Sequence, residues 1–313
     1  VPLKIIFCGT PAFAVPSLVR LAAESDFSVH GVVTQPDRPA GRGGALTGSP
    51  VKRAAQERNI PVFQPEKIRS EDAVGYFQRV APDVVVIIAY GQIVSEKLIA
   101  IPRLGWINVH GSLLPKYRGA APIHWAIANG ETRTGLTTMQ IDRGLDTGPT
   151  LLRYETDVSP DETSPELYAR LAEAGAPLIV ETLRGLAAGR LASVAQDDSQ
   201  ASFAPVLKKE DGRIDWSRTA AEIYNRMRGF QPWPGAFSAF RGKSCALSGK
   251  PALPPISNVP QGSIVQQTGQ VFVACGQSTT LQLETVQLEG RKRVTAQEFV
   301  NGARLAAGEK FGI

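Results

Sequence analysis

Cysteine is scarce in this chain of 313 residues: there are only three, Cys8, Cys245 and Cys275, far apart and odd in number. That argues against a disulfide framework and a cysteine-based zinc site. A reducing, cytoplasmic compartment is the expectation. No cluster of metal-ligating residues is evident, so no metal is expected. No apolar run approaches the roughly 18 residues that span a bilayer, so no membrane segment is expected. Val1–Phe7 has no basic stretch ahead of a cleavable apolar one and does not read as a signal peptide. Two phosphate-binding loops are missing as well. In the first turn, Cys8-Gly9-Thr10-Pro11-Ala12-Phe13-Ala14, only Gly9 matches a G-x-G-x-x-G fingerprint. Pro11 and Phe13 would crowd a diphosphate, which excludes an NAD-type dehydrogenase. The G-x-x-x-x-G-K-S/T loop is also absent. Finally, no Asp or Glu occurs from Ile223 to Leu283, a window that holds Arg226, Arg228, Arg241, Lys243 and Lys250. Arg291-Lys292-Arg293 follow it. Most of the net charge of +5 therefore lies late in the chain. Such a window is either a solvated basic face or the footprint of a polyanion such as nucleic acid.

What is present is a globular mix, 43% hydrophobic and 20% charged, long enough for two domains. Residues 3–8 form an apolar run ending at Gly9, and Thr10-Pro11 looks like the start of a helix reaching Glu24. Strand patterns recur at residues 29–34, 61–63, 105–110, 134–142 and 150–156. Asp83–Tyr90 is an unbroken β-branched run, the mark of a strand buried on both faces of a parallel sheet. Helical patterns fall between them, at 50–59 behind a Ser49-Pro50 cap, 70–80, 122–129 and 164–188. This alternation predicts a doubly wound, mostly parallel α/β sheet over residues 1–190. Residues 191–212 lack periodicity and read as a linker. One helix near 219–228 and short strands between Gly and Pro turns predict a small β-barrel over 213–313.

The chemistry concentrates at Asn108-Val109-His110-Gly111-Ser112-Leu113-Leu114-Pro115. Asn108 and His110 are two apart on a strand and project from one face. The carboxyl end of such a strand is where open α/β sheets bind ligands. An amide donor beside an imidazole can hold a developing oxyanion; the plainer alternative is a hydrogen-bonded core histidine. His30 and His124 are the competitors, and neither has comparable polar neighbours. A second element is Asp142-Arg143-Gly144-Leu145-Asp146-Thr147-Gly148. Asp146 is a candidate to orient and charge a histidine. The alternative is that Asp142 and Asp146 are both turn-formers.

These residues carry a resemblance. NVHGSLLPKYRGAAPIHWAI, MQIDRGLDTG, IIFCGTPAFAVPSL, VVTQPDRPAGRG, VIIAYGQI and RGFQPWPGAF together resemble the formyltransferases that use 10-formyltetrahydrofolate, over essentially the whole chain. The resemblance implies a Rossmann-like catalytic domain and an OB-like C-terminal barrel. It implies Asn108, His110 and Asp146 as the catalytic set, and Ser112, Leu113, Leu114 and Pro115 as the folate-binding turn. It further implies formyl transfer to methionine carried on initiator tRNA, for translation initiation, with no metal. The loop from about Thr34 to Ser49 would reach the acceptor end, with Arg38 and Arg42 as contacts. Gly44 and Ala45 stand where many members carry lysines, which shifts weight to those arginines and to the C-terminal domain. Arg226, Arg228, Arg241 and Lys243 are the expected tRNA contacts there, and a monomer is expected. Relatives that formylate glycinamide ribonucleotide are confined to the catalytic domain and would lack the basic C-terminal region. A sister enzyme acting on a nucleotide sugar, a formate-releasing folate protein and a non-catalytic tRNA binder are the alternatives.

Overall fold

The computed structural model describes residues 1–40, 44–253, 258–306 and 308–312. The chain separates into two compact units. The first holds Val1–Pro122, Arg133–Asp157 and Glu166–Pro205; the second holds Ile123–Thr132, Val158–Pro165 and Val206–Ile313. The linear reading, with one cut in the linker, does not assign the two short internal segments to the second unit.

In chain order, β1 (Leu3–Gly9), α1 (Val15–Ala23) and β2 (Phe27–Val33) are followed by a hairpin of β3 (Arg38–Ala40) and β4 (Ala45–Thr47). Then come α2 (Pro50–Gln56), β5 (Val62–Phe63), α3 (Glu71–Val80), β6 (Val84–Ile88), α4 (Glu96–Ile99) and β7 (Trp106–His110). The segment closes with β8 (Arg118–Gly119), α5 (Pro122–Ala128), β9 (Arg133–Gln140), β10 (Thr150–Asp157), α6 (Ser164–Ala187) and β11 (Phe203–Ala204).

The main sheet of the first unit has seven strands in the order β10-β9-β7-β6-β1-β2-β5. Strands β7, β6, β1, β2 and β5 run parallel, while at one edge β9 is antiparallel to β7 and β10 antiparallel to β9. All five residues of β6 are buried, as its β-branched run predicts. Each such side chain removed from water stabilises the fold by roughly 1.5–3 kcal/mol. Ser49 caps α2 by accepting from the Lys52 amide. Thr10 does not act as a cap: its hydroxyl donates to the Tyr90 carbonyl, and a 3-10 turn at Ala12–Ala14 precedes α1. Gly135 in β9 has no room for a side chain, since a Cβ there would lie 1.9 Å from the Tyr154 carbonyl oxygen.

The second unit adds α7 (Ala220–Gly229), β12 (Phe237–Phe240), β13 (Lys243–Ala252), β14 (Ile264–Gln267), β15 (Gln270–Ala274), β16 (Thr280–Leu288), β17 (Val294–Thr295) and α8 (Ala296–Ala303). Its antiparallel sheet follows the order β12-β13-β16-β15-β14, with β17 on β16. Strands β14 and β12 do not pair directly, but the segment 309–312 bridges them. The Ile264 amide donates to the Glu309 carbonyl, the Phe311 amide to the Gly262 carbonyl and the Gly312 amide to the Ala239 carbonyl, which links the two ends of the antiparallel path. Its core includes Ile223 and Met227 of α7, Phe299 of α8, and Trp216 stacked on Phe311 at 5.8 Å. Reciprocal capping boxes, Thr219 with Glu222 and Thr295 with Glu298, start the two helices.

Candidate active site

The site forms where β7 ends. Asn108 lies opposite Ile87 of β6 and Met139 of β9, and His110 lies opposite Thr137. Among the described residues no hydrogen bond engages the Asn108 carboxamide, so its N–H groups are open donors. His110 is 5% exposed. Its Nε2 lies 2.9 Å from the Tyr117 carbonyl oxygen. A carbonyl can only accept, so Nε2 carries the hydrogen. Nδ1 faces the Asp146 carboxylate, 3.6 Å from Oδ2. This is an ion-pair distance, longer than a hydrogen bond. In the neutral ring Nδ1 is therefore the nitrogen without a hydrogen, and it is the one that faces the carboxylate. Only one ring nitrogen is satisfied by the backbone, and the other faces a side-chain carboxylate.

The loop after β9 separates the roles of its two aspartates. Asp142 is the turn-former, its carboxylate accepting from the Gly144 amide at 3.0 Å and from the Thr147 hydroxyl at 2.8 Å. Asp146 instead turns its carboxylate to His110 and accepts from the Gly119 amide at 2.9 Å. Asp146 has φ 54 and Tyr117 has φ 62, both left-handed and both non-glycine. Strained backbone of this kind persists where the surroundings over-determine it, commonly at functional sites. The Tyr117 carbonyl and the Gly119 amide are backbone groups, and no side-chain pattern announces them.

The turn expected to hold folate divides in two. Ser112 is fully buried and donates its hydroxyl to the Lys116 carbonyl, and Leu114 is 1% exposed. Thr137 clamps the turn by donating to the Ser112 carbonyl and accepting from the Leu114 amide. Leu113 and Pro115 are only partly buried, so they are the two side chains of the four left to meet a ligand. Among the described residues no His, Cys, Asp and Glu cluster suits a metal ion. His30 is exposed on β2, and burial holds the His124 imidazole below its ordinary pKa.

Arg38 is exposed on β3, and Arg42 lies outside the described residues. In the second unit the sequence window without acids is not a region without counter-charge. Arg228 is 5% exposed and donates to the Ser159 and Glu162 carbonyls and to Asn225. It is expected from the sequence as a tRNA contact, but its guanidinium is buried and engaged within the second unit. Arg226 donates to the Asp211 carbonyl and lies over the Trp125 and Phe230 rings. Arg241 forms a two-pronged pair with Glu309, and Lys250 pairs with Asp161 at 2.9 Å. These acids come from outside the window, so chain distance concealed them. Lys243 is exposed and has no ion pair among the described residues. It starts β13, beside the turn after β16, where the Glu289 amide donates to the Ser244 carbonyl. The exposed run Arg291-Lys292-Arg293 lies in that turn.

Comparison with known proteins matches residues 3–183 to a formyl transferase model and residues 206–304 to a formyl transferase C-terminal domain. The chain is 48% identical over 311 residues to the methionyl-tRNA formyltransferase of Acidobacterium capsulatum, covering 99% of this chain and 100% of that one. It is 50% identical over 309 residues to that of Koribacter versatilis, covering 98% of each. Among solved structures, a sugar 3N-formyl transferase, WlaRD, crystallised with dTDP and 5-N-formyl-THF, superposes with a TM-score of 0.66. That match has 18% identity and covers 93% of this chain and all of the other, a likeness of fold.

Proposed function

This chain belongs to the formyltransferase family, and we propose that it moves a formyl group from 10-formyltetrahydrofolate to the α-amine of methionine esterified to initiator tRNA. The geometry that carries the reading is an open Asn108 amide on the same strand as a histidine whose Nδ1 faces a carboxylate. Full-length likeness to relatives bearing that activity supports the choice of substrates.

The folate supplies an activated formyl group on N10. The amine nitrogen bonds to the formyl carbon and the bond to N10 breaks. One proton leaves the amine and one arrives at N10. As the amine adds, the formyl oxygen takes on negative charge. Asn108 donates to that oxygen. His110, protonated at Nδ1, faces the same charge, and Asp146 stabilises the imidazolium. In this reading the Nδ1 proton passes toward the departing nitrogen. Leu113 and Pro115 supply the apolar contacts of the folate turn.

Initiator tRNA is held by cations of two kinds in this reading. Arg38 and Arg42 serve the acceptor end. Lys243 with Arg291, Lys292 and Arg293 supply electrostatic attraction from the second unit. Arg226 and Arg241 contribute less, because the structure engages both guanidinium groups. Three buried free cysteines agree with a cytoplasmic setting. Asn108, His110 and Asp146 come from one chain, so a monomer suffices.

The test is transfer of radiolabelled formyl from 10-formyltetrahydrofolate to methionyl initiator tRNA, with elongator methionyl-tRNA, glycinamide ribonucleotide and an amino-sugar nucleotide as parallel acceptors. Labelled formylmethionyl-tRNA, preferentially on the initiator, supports the proposal. Transfer only to a small amine, or release of free formate alone, overturns it.

A further inference from the structure

The segment Tyr117–Gly119 makes both backbone contacts to the His110–Asp146 pair, and the residue between them points elsewhere. Arg118 is 4% exposed. Its guanidinium donates to Gln196 Oε1 from Nε at 3.1 Å and from Nη2 at 2.8 Å. Nη2 also reaches Asp198 at 2.7 Å. The far end of Gln196 returns to the catalytic loop. Its Nε2 donates to the Asp146 carbonyl at 2.8 Å and to the Gly148 carbonyl at 2.7 Å. A guanidinium only donates and a carbonyl only accepts, so the carboxamide has one orientation that satisfies both. Its oxygen then accepts two bonds and its nitrogen gives two.

The backbone of the same segment is fixed from the same stretch of chain. The Ser202 carbonyl accepts from the Arg118 amide at 2.8 Å, and the Ser202 hydroxyl accepts from the Tyr117 amide at 2.9 Å. Strand β11 pairs with β8, and a Cβ on Gly119 would lie 2.6 Å from the Ala204 oxygen. A tether between domains has no need to bury an arginine or to saturate a glutamine. Asp146 is thus gripped twice, at its carboxylate by Gly119 and at its carbonyl by Gln196, in a backbone conformation it would not favour alone.

We infer that the stretch 196–204, which looks like a linker, is a positioning element for the reaction, with Arg118 and Gln196 as positioning residues that act through Asp146 on His110. The inference rests on the proposed pairing of those two residues. Because a displacement of about 1 Å in a reacting geometry costs on the order of 100-fold in rate, loosening the clamp lowers kcat. KM for folate and for tRNA is expected to stay near the parent's, since in this inference Gln196 and Arg118 act through Asp146 rather than on substrate.

Two variants separate positioning from simple support. Gln196→Ala removes both ends of the bridge. Gln196→Glu keeps an acceptor, now charged, for Arg118, but its other oxygen cannot donate to the Asp146 and Gly148 carbonyls. The expected result is that both lose roughly 10- to 100-fold in the single-turnover rate at saturating substrates. Gln196→Glu should do so with its melting temperature retained. In an Asp146→Asn background neither should lower the rate further. The 15N signals of the His110 imidazole, one of three histidines, should move in both variants. The inference is overturned if Gln196→Glu turns over like the parent with His110 signals unmoved, or if the losses multiply fully with Asp146→Asn. The imidazole signals are read without substrate. A parent that fails to formylate methionyl-tRNA would sink the functional proposal, and moved or unmoved signals would still decide the clamp.

Discussion

His110 and Tyr117 are joined by a contact of 2.9 Å between Nε2 and a backbone carbonyl oxygen, and that contact fixes which ring nitrogen is available for chemistry. A neutral His110 should therefore be the Nε2–H tautomer. Nitrogen-15 correlation spectra of the resting protein check this, with His110→Gln identifying the signal. Protonated Nε2 and pyridine-like Nδ1 shifts in the neutral form are expected. The reverse pattern would leave Nδ1 unable to accept a proton beside Asp146.

Asn108→Ala should lower the chemical rate on the order of 100-fold, by removing one donor to the developing oxyanion. Folate affinity should hold, because the interaction strengthens only as charge develops. Single-turnover rates with equilibrium folate binding separate the two effects. Parental turnover at saturating substrates would remove Asn108 from the mechanism.

Basic residues of the second unit should behave in opposite ways. Replacing Lys243, Arg291, Lys292 and Arg293 by Gln should flatten the dependence of log affinity for tRNA on log salt, by about 0.7–0.9 for each phosphate no longer neutralised. Arg228→Ala should leave that slope alone and instead reduce stability by about 1–3 kcal/mol, since the Ser159 and Glu162 carbonyls lose a buried partner. Filter-binding titrations across salt, beside denaturant melts, give both readings.

That contrast also shows where sequence reasoning reaches its limit. Local, periodic signals were readable: the β-branched run that became β6, the Ser49-Pro50 start of α2, and the strand pair Asn108 and His110. Thr295 with Glu298 is an equally local signal, a capping box whose helix α8 the strand-by-strand reading passed over. Other features depend on residues distant in sequence. Glu309 neutralises Arg241 across 68 positions, and Asp161 reaches Lys250 across 89. Gln196 lies in a stretch with no periodicity, and its importance comes from a carbonyl 50 residues earlier. The roles of Asp142 and Asp146 differ only in where their carboxylates point.

The three thiols should be inert in the folded protein. Burial pushes Cys245 up to about 11 and Cys275 up to about 12, and raises Cys8 well above its ordinary value. The reactive form is the thiolate, which these raised values suppress near neutral pH. Iodoacetamide at pH 8 should label no cysteine in native protein and all three after denaturation. Rapid labelling of the native protein at that pH would show that the cores open far more readily than their packing implies.

The most direct test of the central claim is a double-mutant cycle on His110 and Asp146, read as single-turnover formyl transfer to methionyl initiator tRNA. Residues that act as one unit lose their function together. The double variant His110→Ala, Asp146→Ala should therefore be little slower than the poorer single variant. Losses that multiply in full would mean that the carboxylate and the imidazole act separately, and the account of a charged pair at the end of β7 would be wrong.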